Sequence, residues 1–266
     1  MLPQDMDPTG FNFTKTVHTT FNDTTDPSKV QLPPLLTVCV IGASRGIGAF
    51  IAYAYAAAKA STLVLAARSI DQLESVAHDV RRINSAIALH IVACDVACDS
   101  SVSDLARKVK QDVGRLDVVI CNSGFAGPLI TRVTDGSPAD FERNFAVNAV
   151  GTYLVAHHLV PLLLSSSGGA KIFVAVSAAA AWITEGPIVN PAYCVSKLAQ
   201  LRLVEYIATQ YREAGLLAVA VHPGAVRTKM AETAPVEFVP CKQVLPLPAD
   251  LPGGEKRLAA SPELSN

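Results

Sequence analysis

A doubly wound α/β domain built on a parallel sheet is the fold class this sequence predicts, and three observations predict it. From residue 35 onward, short apolar runs of strand length alternate with longer amphipathic stretches of helix length, the rhythm of βαβ units. Most of the short runs are continuously apolar, as strands covered on both faces are. A glycine-rich turn follows the first run and opens the first helical stretch.

In chain order, residues 1–34 are rich in Thr, Asp and Pro and carry no sustained period of 2 or 3.6, so a loosely structured extension is expected there. The expected strands are 35–41 (LLTVCVI), 62–66 (TLVLA), 86–94 (AIALHIVAC), 116–121 (LDVVIC), 171–176 (KIFVAV) and 216–221 (LLAVAV). Helical patterns occupy 48–59, 71–83, 101–113, 139–164 and 193–213. Six strands joined by five helices through right-handed crossovers make a sheet covered by helices on both faces. Past residue 230 the prolines Pro235, Pro240, Pro246, Pro248, Pro252 and Pro262 punctuate a segment with no strand pattern. The expected organisation is an extension over 1–34, one domain over 35–230 and an irregular tail over 231–266.

Composition narrows the function classes. Half of the 266 residues are hydrophobic, enough to bury a sizeable core, which excludes disorder throughout. Twenty-two basic and 23 acidic residues leave a net charge of -1, so no overall basic excess exists to neutralise nucleic-acid phosphates. The nearly uncharged runs 172–183 and 49–58 fall short of the roughly 18 to 20 apolar residues of a bilayer span, and no membrane span is expected. The opening MLPQDMDPTG has acids, no apolar run and no Arg, which predicts a cytoplasmic protein. Cys39, Cys94, Cys98, Cys121, Cys194 and Cys241 are scattered and read as structural thiols; Cys94 and Cys98 lack a second ligand pair, so no metal is expected. His157 and His158 fall mid-helix and read as packing or surface residues.

The chemistry-bearing motifs follow. In Gly42-Ala43-Ser44-Arg45-Gly46-Ile47-Gly48, glycines let the backbone turn tightly and approach a pyrophosphate at the positive end of a helix, though a plain tight loop is the other reading. The second strand ends at Arg68-Ser69, where an NAD-selective site would carry an acid. The Arg68 guanidinium with Ser69 and Arg45 suits a 2'-phosphate, favouring NADP(H) over NAD(H); a solvated surface arginine is the alternative. Asp95-Val96, after the third strand, puts a carboxylate near an adenine amino group or, alternatively, caps a helix. Tyr193 and Lys197, four apart on a helix, share one face just beyond Ser177 at the end of the fifth strand, where doubly wound sheets bind ligands.

With these motifs in order over about 35–230, the sequence closely resembles the short-chain dehydrogenase/reductase family. The glycine turn matches the family's Thr-Gly-x-x-x-Gly-x-Gly with Ile41 in place of Thr, and Asp95-Val96 its adenine-side pair. Asn122-Ser123-Gly124 matches the end of its Asn-Asn-Ala-Gly motif with Cys121 in place of the first Asn. Asn148, Ser177, Tyr193 and Lys197 match its catalytic set, and Pro223-Gly224-Ala225-Val226-Arg227-Thr228 its nicotinamide-side Pro-Gly-x-x-x-Thr.

The resemblance implies a Rossmann-like sheet of order 3-2-1-4-5-6 lacking the family's usual seventh strand. It implies NADP(H) held by Gly42, Ser44, Arg45, Gly46, Ile47, Gly48, Arg68, Ser69, Asp95, Val96, Asn122, Gly124, Tyr193, Lys197, Pro223, Gly224, Val226 and Thr228. Tyr193 is then general acid in carbonyl reduction and base in alcohol oxidation. Bringing it from its free pKa near 10 to about 7 asks for roughly 4 kcal/mol, supplied by the Lys197 ammonium and the oxidised nicotinamide. Ser177 holds the substrate oxygen and Asn148 positions a relay water. The resemblance also implies a homodimer through the helices at 139–164 and 193–213. The loop between Ser177 and Tyr193 is longer than the family's, and Trp182 there is either pocket wall or loop packing. With Ile183, Ile188 and Val189, it points to a small hydrophobic carbonyl or alcohol substrate. The shortened end leaves a second reading, a catalytically impaired NADP(H)-binding interaction or sensor protein.

Overall fold

The computed structural model describes residues 25–128, 130–176, 190–223, 226–229 and 239–240. Six parallel strands, β1 (Thr37–Ile41), β2 (Thr62–Ala67), β3 (Ala88–Ala93), β4 (Val118–Cys121), β5 (Ile172–Val176) and β6 (Leu217–Val221), form one sheet of order β3-β2-β1-β4-β5-β6. Each lies inside or within one residue of the run expected from sequence. The helices are α1 (Gly46–Ala57), α2 (Ile70–Ile83), α3 (Asp99–Lys108), α4 (Pro138–Asn144), α5 (Gly151–Leu164) and α6 (Pro191–Gln210).

Strand alternation divides the core in two, because successive side chains point to opposite faces. Cys39 and Ile41 of β1 join Val119, Phe173, Val155, Leu159 and Leu163 on the face covered by α3, α5 and α6. Val38 and Val40 join Leu63, Leu65, Tyr53, Leu73 and Val76 on the face covered by α1 and α2. The central β1 is buried throughout, whereas the edge strands β3 and β6 each bury only one residue. The continuous apolar run of β6 therefore does not mean cover on both faces: Leu217 and Val221 are exposed, on a strand with one neighbour among the described residues.

Two helices depart from α geometry in ways the 3.6 period does not reveal. The third helix ends in a π turn, Val109–Val113, and a longer π segment, Phe145–Val150, joins α4 to α5. Such bulges frequently mark functional sites. Residues Pro138–Leu164 are thereby one helical rod of 27 residues, long and apolar enough by composition to cross a membrane, which corrects the expectation that no segment reaches that length. Its apolar character has a local cause: Gly151, Thr152, Val155, Ala156, Leu159, Val160 and Leu163 are buried against the sheet. On its outer side His158 Nε2 meets Asp99 Oδ1 of α3 at 2.9 Å, and His157 stacks on Tyr153. Of the cysteines expected to be structural, Cys39, Cys94, Cys121 and Cys194 are buried, but Cys98 is exposed beside Ser100.

The tail contributes one pairing that no sequence pattern announces. Val239–Pro240 (β8) runs parallel to Val226–Arg227 (β7), apart from the main sheet. A two-residue strand ending in proline carries no periodicity to read.

At the amino end of β4, the fully buried Asp117 carboxylate accepts the Thr37 N–H (2.9 Å), the Arg115 Nε–H (2.8 Å) and the Ser166 hydroxyl (2.6 Å). It ties β1, β4 and the turn before β5 together, and a Cβ on Gly168 would stand 2.2 Å from its Oδ1. Asp117→Ala leaves the Thr37 N–H and the half-buried guanidinium without their acceptor. The expected destabilisation is about 3 kcal/mol, measured by urea unfolding; a loss below about 0.5 kcal/mol would show that water replaces the carboxylate at no cost.

Candidate active site

The carboxyl ends of β1, β4 and β5 and the amino ends of α1 and α6 converge on one side of the sheet, as the topology requires at its switch point. The glycine turn comes first. Gly42 and Ala43 donate their N–H groups to the Ala66 carbonyl (2.7 and 3.2 Å), pinning the turn to the end of β2. Gly42 (φ 85°) and Gly46 (φ 55°) take left-handed backbone conformations. A Cβ on Gly48 would lie 2.1 Å from the Gly42 carbonyl oxygen and 2.7 Å from Asn122 Nδ2. That close approach requires glycine, and no side-chain cap at Arg45 covers the first-turn N–H groups of α1. The turn fits a dinucleotide pyrophosphate: glycines permit the close approach, and uncapped N–H groups supply the donors.

The two departures from the family motif have local compensation. Ile41 and Cys121 are buried in the sheet, yet Asn122 Nδ2 donates to the Gly42 carbonyl (3.1 Å) and its backbone N–H to the Ile41 carbonyl (3.0 Å). The end of β4 thus braces the glycine turn without the missing side chains. Thr228 reaches the same turn, its Cγ2 3.4 Å from a Cβ built on Gly46. Ser44, Ile47 and Gly124 are half-buried around it, as is Pro223, and Val226 is buried. Gly224 lies outside the described residues.

Arg68 and Ser69 follow directly on β2, whose Ala66 pairs with Ile41, so both stand beside the turn. Arg45 and Arg68 are exposed and have no ion-pair partner among the described residues. Ser69 is the N-cap of α2 by position, but its hydroxyl caps no N–H. Asp95 does not cap a helix, which removes the alternative reading of that residue. Its Oδ1 accepts the Ala97 N–H (3.1 Å), its carbonyl accepts Cys98 N–H (3.1 Å), and α3 begins only at Asp99. Val96 packs on α5 so tightly that a Cβ on Gly151 would come within 2.9 Å of it.

Tyr193 and Lys197 lie on one face of α6, both buried, with Nζ 5.8 Å from the tyrosine ring centroid. The helix is started by Asn190, whose Oδ1 accepts the Tyr193 N–H (3.1 Å) and whose Nδ2 donates to the Ala126 carbonyl (2.8 Å) and the Pro128 carbonyl. One side chain thus places the tyrosine turn against the loop after β4. Lys197 Nζ donates to the Val176 carbonyl at the end of β5 (3.2 Å) and to Gln200 Oε1 (3.0 Å). Burial lowers its pKa to about 8, while the facing Cys121 thiol is itself pushed up by burial.

Asn148 sits in the π segment, fully buried. Its Oδ1 accepts the Phe125 N–H (2.9 Å), and its Nδ2 faces the Phe125 carbonyl (2.8 Å), Ser196 Oγ (2.9 Å) and Asn144 Oδ1 (3.3 Å). The amide is engaged with protein, joining the bulged helix, the loop after β4 and α6. Ser177, the next residue after Val176, lies outside the described residues, as do Trp182, Ile183, Ile188 and Val189.

Asn148, Tyr193 and Lys197 are therefore brought together, with the glycine turn braced alongside. Sequence reasoning missed Asn190, Thr152, Ser196 and Gln200. Asn190 ahead of Pro191 is a readable helix start, and Gln200, three past Lys197, shares its helix face.

A family model for short chain dehydrogenase matches residues 36–237. Among curated proteins, Short chain dehydrogenase pgmD of Aspergillus terreus is 32% identical over 228 residues, covering 82% of this chain and 73% of its own. Retinol dehydrogenase 13 of Homo sapiens is 30% identical, covering 77% and 62%. Among solved structures, a short-chain type dehydrogenase/reductase from Mycobacterium marinum superposes with a TM-score of 0.70 at 26% identity, covering 76% of this chain and 77% of that one. An alcohol dehydrogenase from the archaeon Thermococcus sibiricus, complexed with 5-hydroxy-NADP, superposes with 0.69 at 25%, covering 79% and 86%.

Proposed function

The chain belongs to the short-chain dehydrogenase family, and on that premise we propose that it is a cytoplasmic, homodimeric NADP(H)-dependent oxidoreductase that reduces a small hydrophobic ketone or aldehyde to its alcohol. The observation that carries this reading is the buried Tyr193–Lys197 pair on α6, anchored to the end of β5 beside a dinucleotide-shaped glycine turn. When bound, the nicotinamide supplies or accepts the hydride. The protein's share is protonic and positional.

Tyr193 gives its phenolic proton to the carbonyl oxygen in reduction and takes it back in oxidation. The Lys197 ammonium favours the phenolate, and burial makes that charge count for more than it would in water. Ser177 follows the anchored Val176 and holds the substrate oxygen. Asn148 fixes the floor of the site through Phe125 and Ser196. Gly42, Gly46, Gly48 and Asn122 cradle the pyrophosphate, Asp95 and Val96 flank the adenine, and Pro223, Gly224, Val226 and Thr228 close the nicotinamide side. All of these fall in the 35–230 domain. Exposed Val150 and Tyr153 with Val195, Leu198 and Tyr206 supply apolar surface on the rod and α6 for the dimer.

Preference for NADP(H) rests on Arg68, whose guanidinium has no competing ion pair among the described residues, and on the uncommitted Ser69 hydroxyl. Fluorescence titration is expected to give tighter binding of NADPH than NADH. Arg68→Ala should weaken NADPH by about tenfold to a hundredfold, the worth of a charge-assisted contact, and leave NADH unchanged. Tighter NADH binding in the wild type overturns the cofactor assignment. Tight NADPH binding with no oxidation by any of a panel of aliphatic, aromatic and quinone carbonyls overturns the reductase.

A further inference from the structure

Behind Lys197 lies a buried chain of hydrogen bonds that the tyrosine–lysine chemistry does not by itself account for. The Thr152 hydroxyl donates to the Asn148 carbonyl (2.8 Å), Gln200 Nε2 donates to Thr152 Oγ1 (2.6 Å), and Gln200 Oε1 accepts from Lys197 Nζ (3.0 Å). Its polarity is fixed from one end. With the Thr152 hydroxyl hydrogen on the Asn148 carbonyl, Thr152 Oγ1 accepts from Gln200 and faces the Cys121 thiol, whose Sγ lies 3.5 Å away. The Gln200 amide must then turn its NH2 to Thr152 and its oxygen to Lys197; the flipped amide would set its NH2 against the Lys197 ammonium and its oxygen against an oxygen with no hydrogen to give. Thr152, Asn148, Lys197 and Gln200 are all buried, so water is not at hand to repair a break.

Among the described residues Lys197 has no carboxylate partner. The titratable groups facing it are Cys121 from β4, a thiol that burial keeps protonated, and Tyr193 one turn back on α6. From β5 it meets only the Val176 carbonyl, and from α5 only Thr152 by way of Gln200. A buried ammonium compensated by two neutral oxygens depends heavily on each of them. Among the described residues two of its three N–H groups donate to these oxygens, and the third has no acceptor.

We propose that Gln200, locked by Thr152, is a positioning residue: it keeps the Lys197 ammonium charged inside the protein and aims its remaining N–H at the reacting groups. The proposal deepens the oxidoreductase reading and rests on it for its consequence to turnover. Its physical core concerns Lys197 alone and can be read without any substrate.

The test is titration of the Lys197 ammonium by lysine-selective 13C NMR on the full chain without cofactor, alongside the pH profile of alcohol oxidation. Gln200→Met, which keeps length and volume but no strong acceptor, should lower the Lys197 midpoint by about one unit and move the rising limb of oxidation upward by a similar amount, about tenfold in rate below the midpoint. Thr152→Val, which frees the amide to flip, should give a midpoint between those of the wild type and Gln200→Met. Thr152→Ser, which keeps the hydroxyl, should restore wild-type behaviour. Unchanged midpoint and limb in a folded Gln200→Met, or equal defects in Thr152→Val and Thr152→Ser, overturn the proposal. A shifted midpoint in a protein that turns over no carbonyl supports Gln200's hold on Lys197 and sinks the reductase instead.

Discussion

Tyr193→Phe is expected to lower turnover in both directions by about 10²–10⁴-fold, the usual worth of a positioned acid or base, while NADPH binding stays close to wild type. The aromatic ring keeps its buried place on α6 and the Asn190 cap still accepts the residue's N–H, so only the hydroxyl is lost. Single-turnover kinetics separate this from a binding defect. The same assignment fixes the sign of the pH dependence. Reduction needs protonated Tyr193 and falls as pH rises, whereas oxidation needs phenolate and rises. Above about 8, where the buried Lys197 loses its proton, the cation that favours phenolate is gone and the rise in oxidation should flatten. A Phe variant that retains more than half of wild-type turnover removes Tyr193 from the chemistry.

The second large effect is expected at Gly48. Gly48→Ala forces a Cβ to within 2.1 Å of the Gly42 carbonyl oxygen; the Cβ is fixed by the backbone of α1 and the oxygen by that of the turn, so no side-chain rotation relieves the clash. The carbonyl cannot withdraw freely either, because Asn122 Nδ2 is bonded to it. The turn must shift, and misplacement on the ångström scale is worth about a hundredfold where geometry governs function. NADPH affinity should fall by that order, and stability by about 1–3 kcal/mol, as in other overpacked sites. Gly114→Ala is the control. Its glycine is also left-handed (φ 73°), but nothing lies within 4 Å of the new Cβ. It should cost about 1–2 kcal/mol of strain with affinity intact. Equal NADPH affinity in wild type and Gly48→Ala would show that the glycine turn does not hold the dinucleotide.

Local patterns made most of the fold legible. The runs that became β1, β2, β4 and β5 are apolar because helices cover both faces, and that burial is what their composition records. Edge strands mislead for the same reason: Leu217 and Val221 look like core residues, but a strand at the rim has no second neighbour. The π segments at Val109–Val113 and Phe145–Val150 were invisible because one extra residue per turn barely alters an apolar stripe. At the site, glycines and the tyrosine–lysine spacing are legible since each answers a local geometric demand. The long-range partners of Asn148 are not, for they come from residue 125 on a loop and residue 196 on another helix. The two Asp95 readings could be separated only by knowing that α3 starts four residues later.

The four residues of β4 separate two polar regions with different tolerances for inherited change. At the front, Asp117 binds three partners that between them join β1, β4 and the approach to β5, so drift there is paid in fold integrity. At the back, beyond Asn122, the chain enters a loop that Asn148 and Asn190 hold to the π segment and to α6, and farther on Ile130 and Val133 lie open to solvent. Lineages descending from such a chain can vary these two exposed residues while the front remains fixed. Substitutions there are expected to add independently to substitutions around Asp117, at the opposite end of the same short strand.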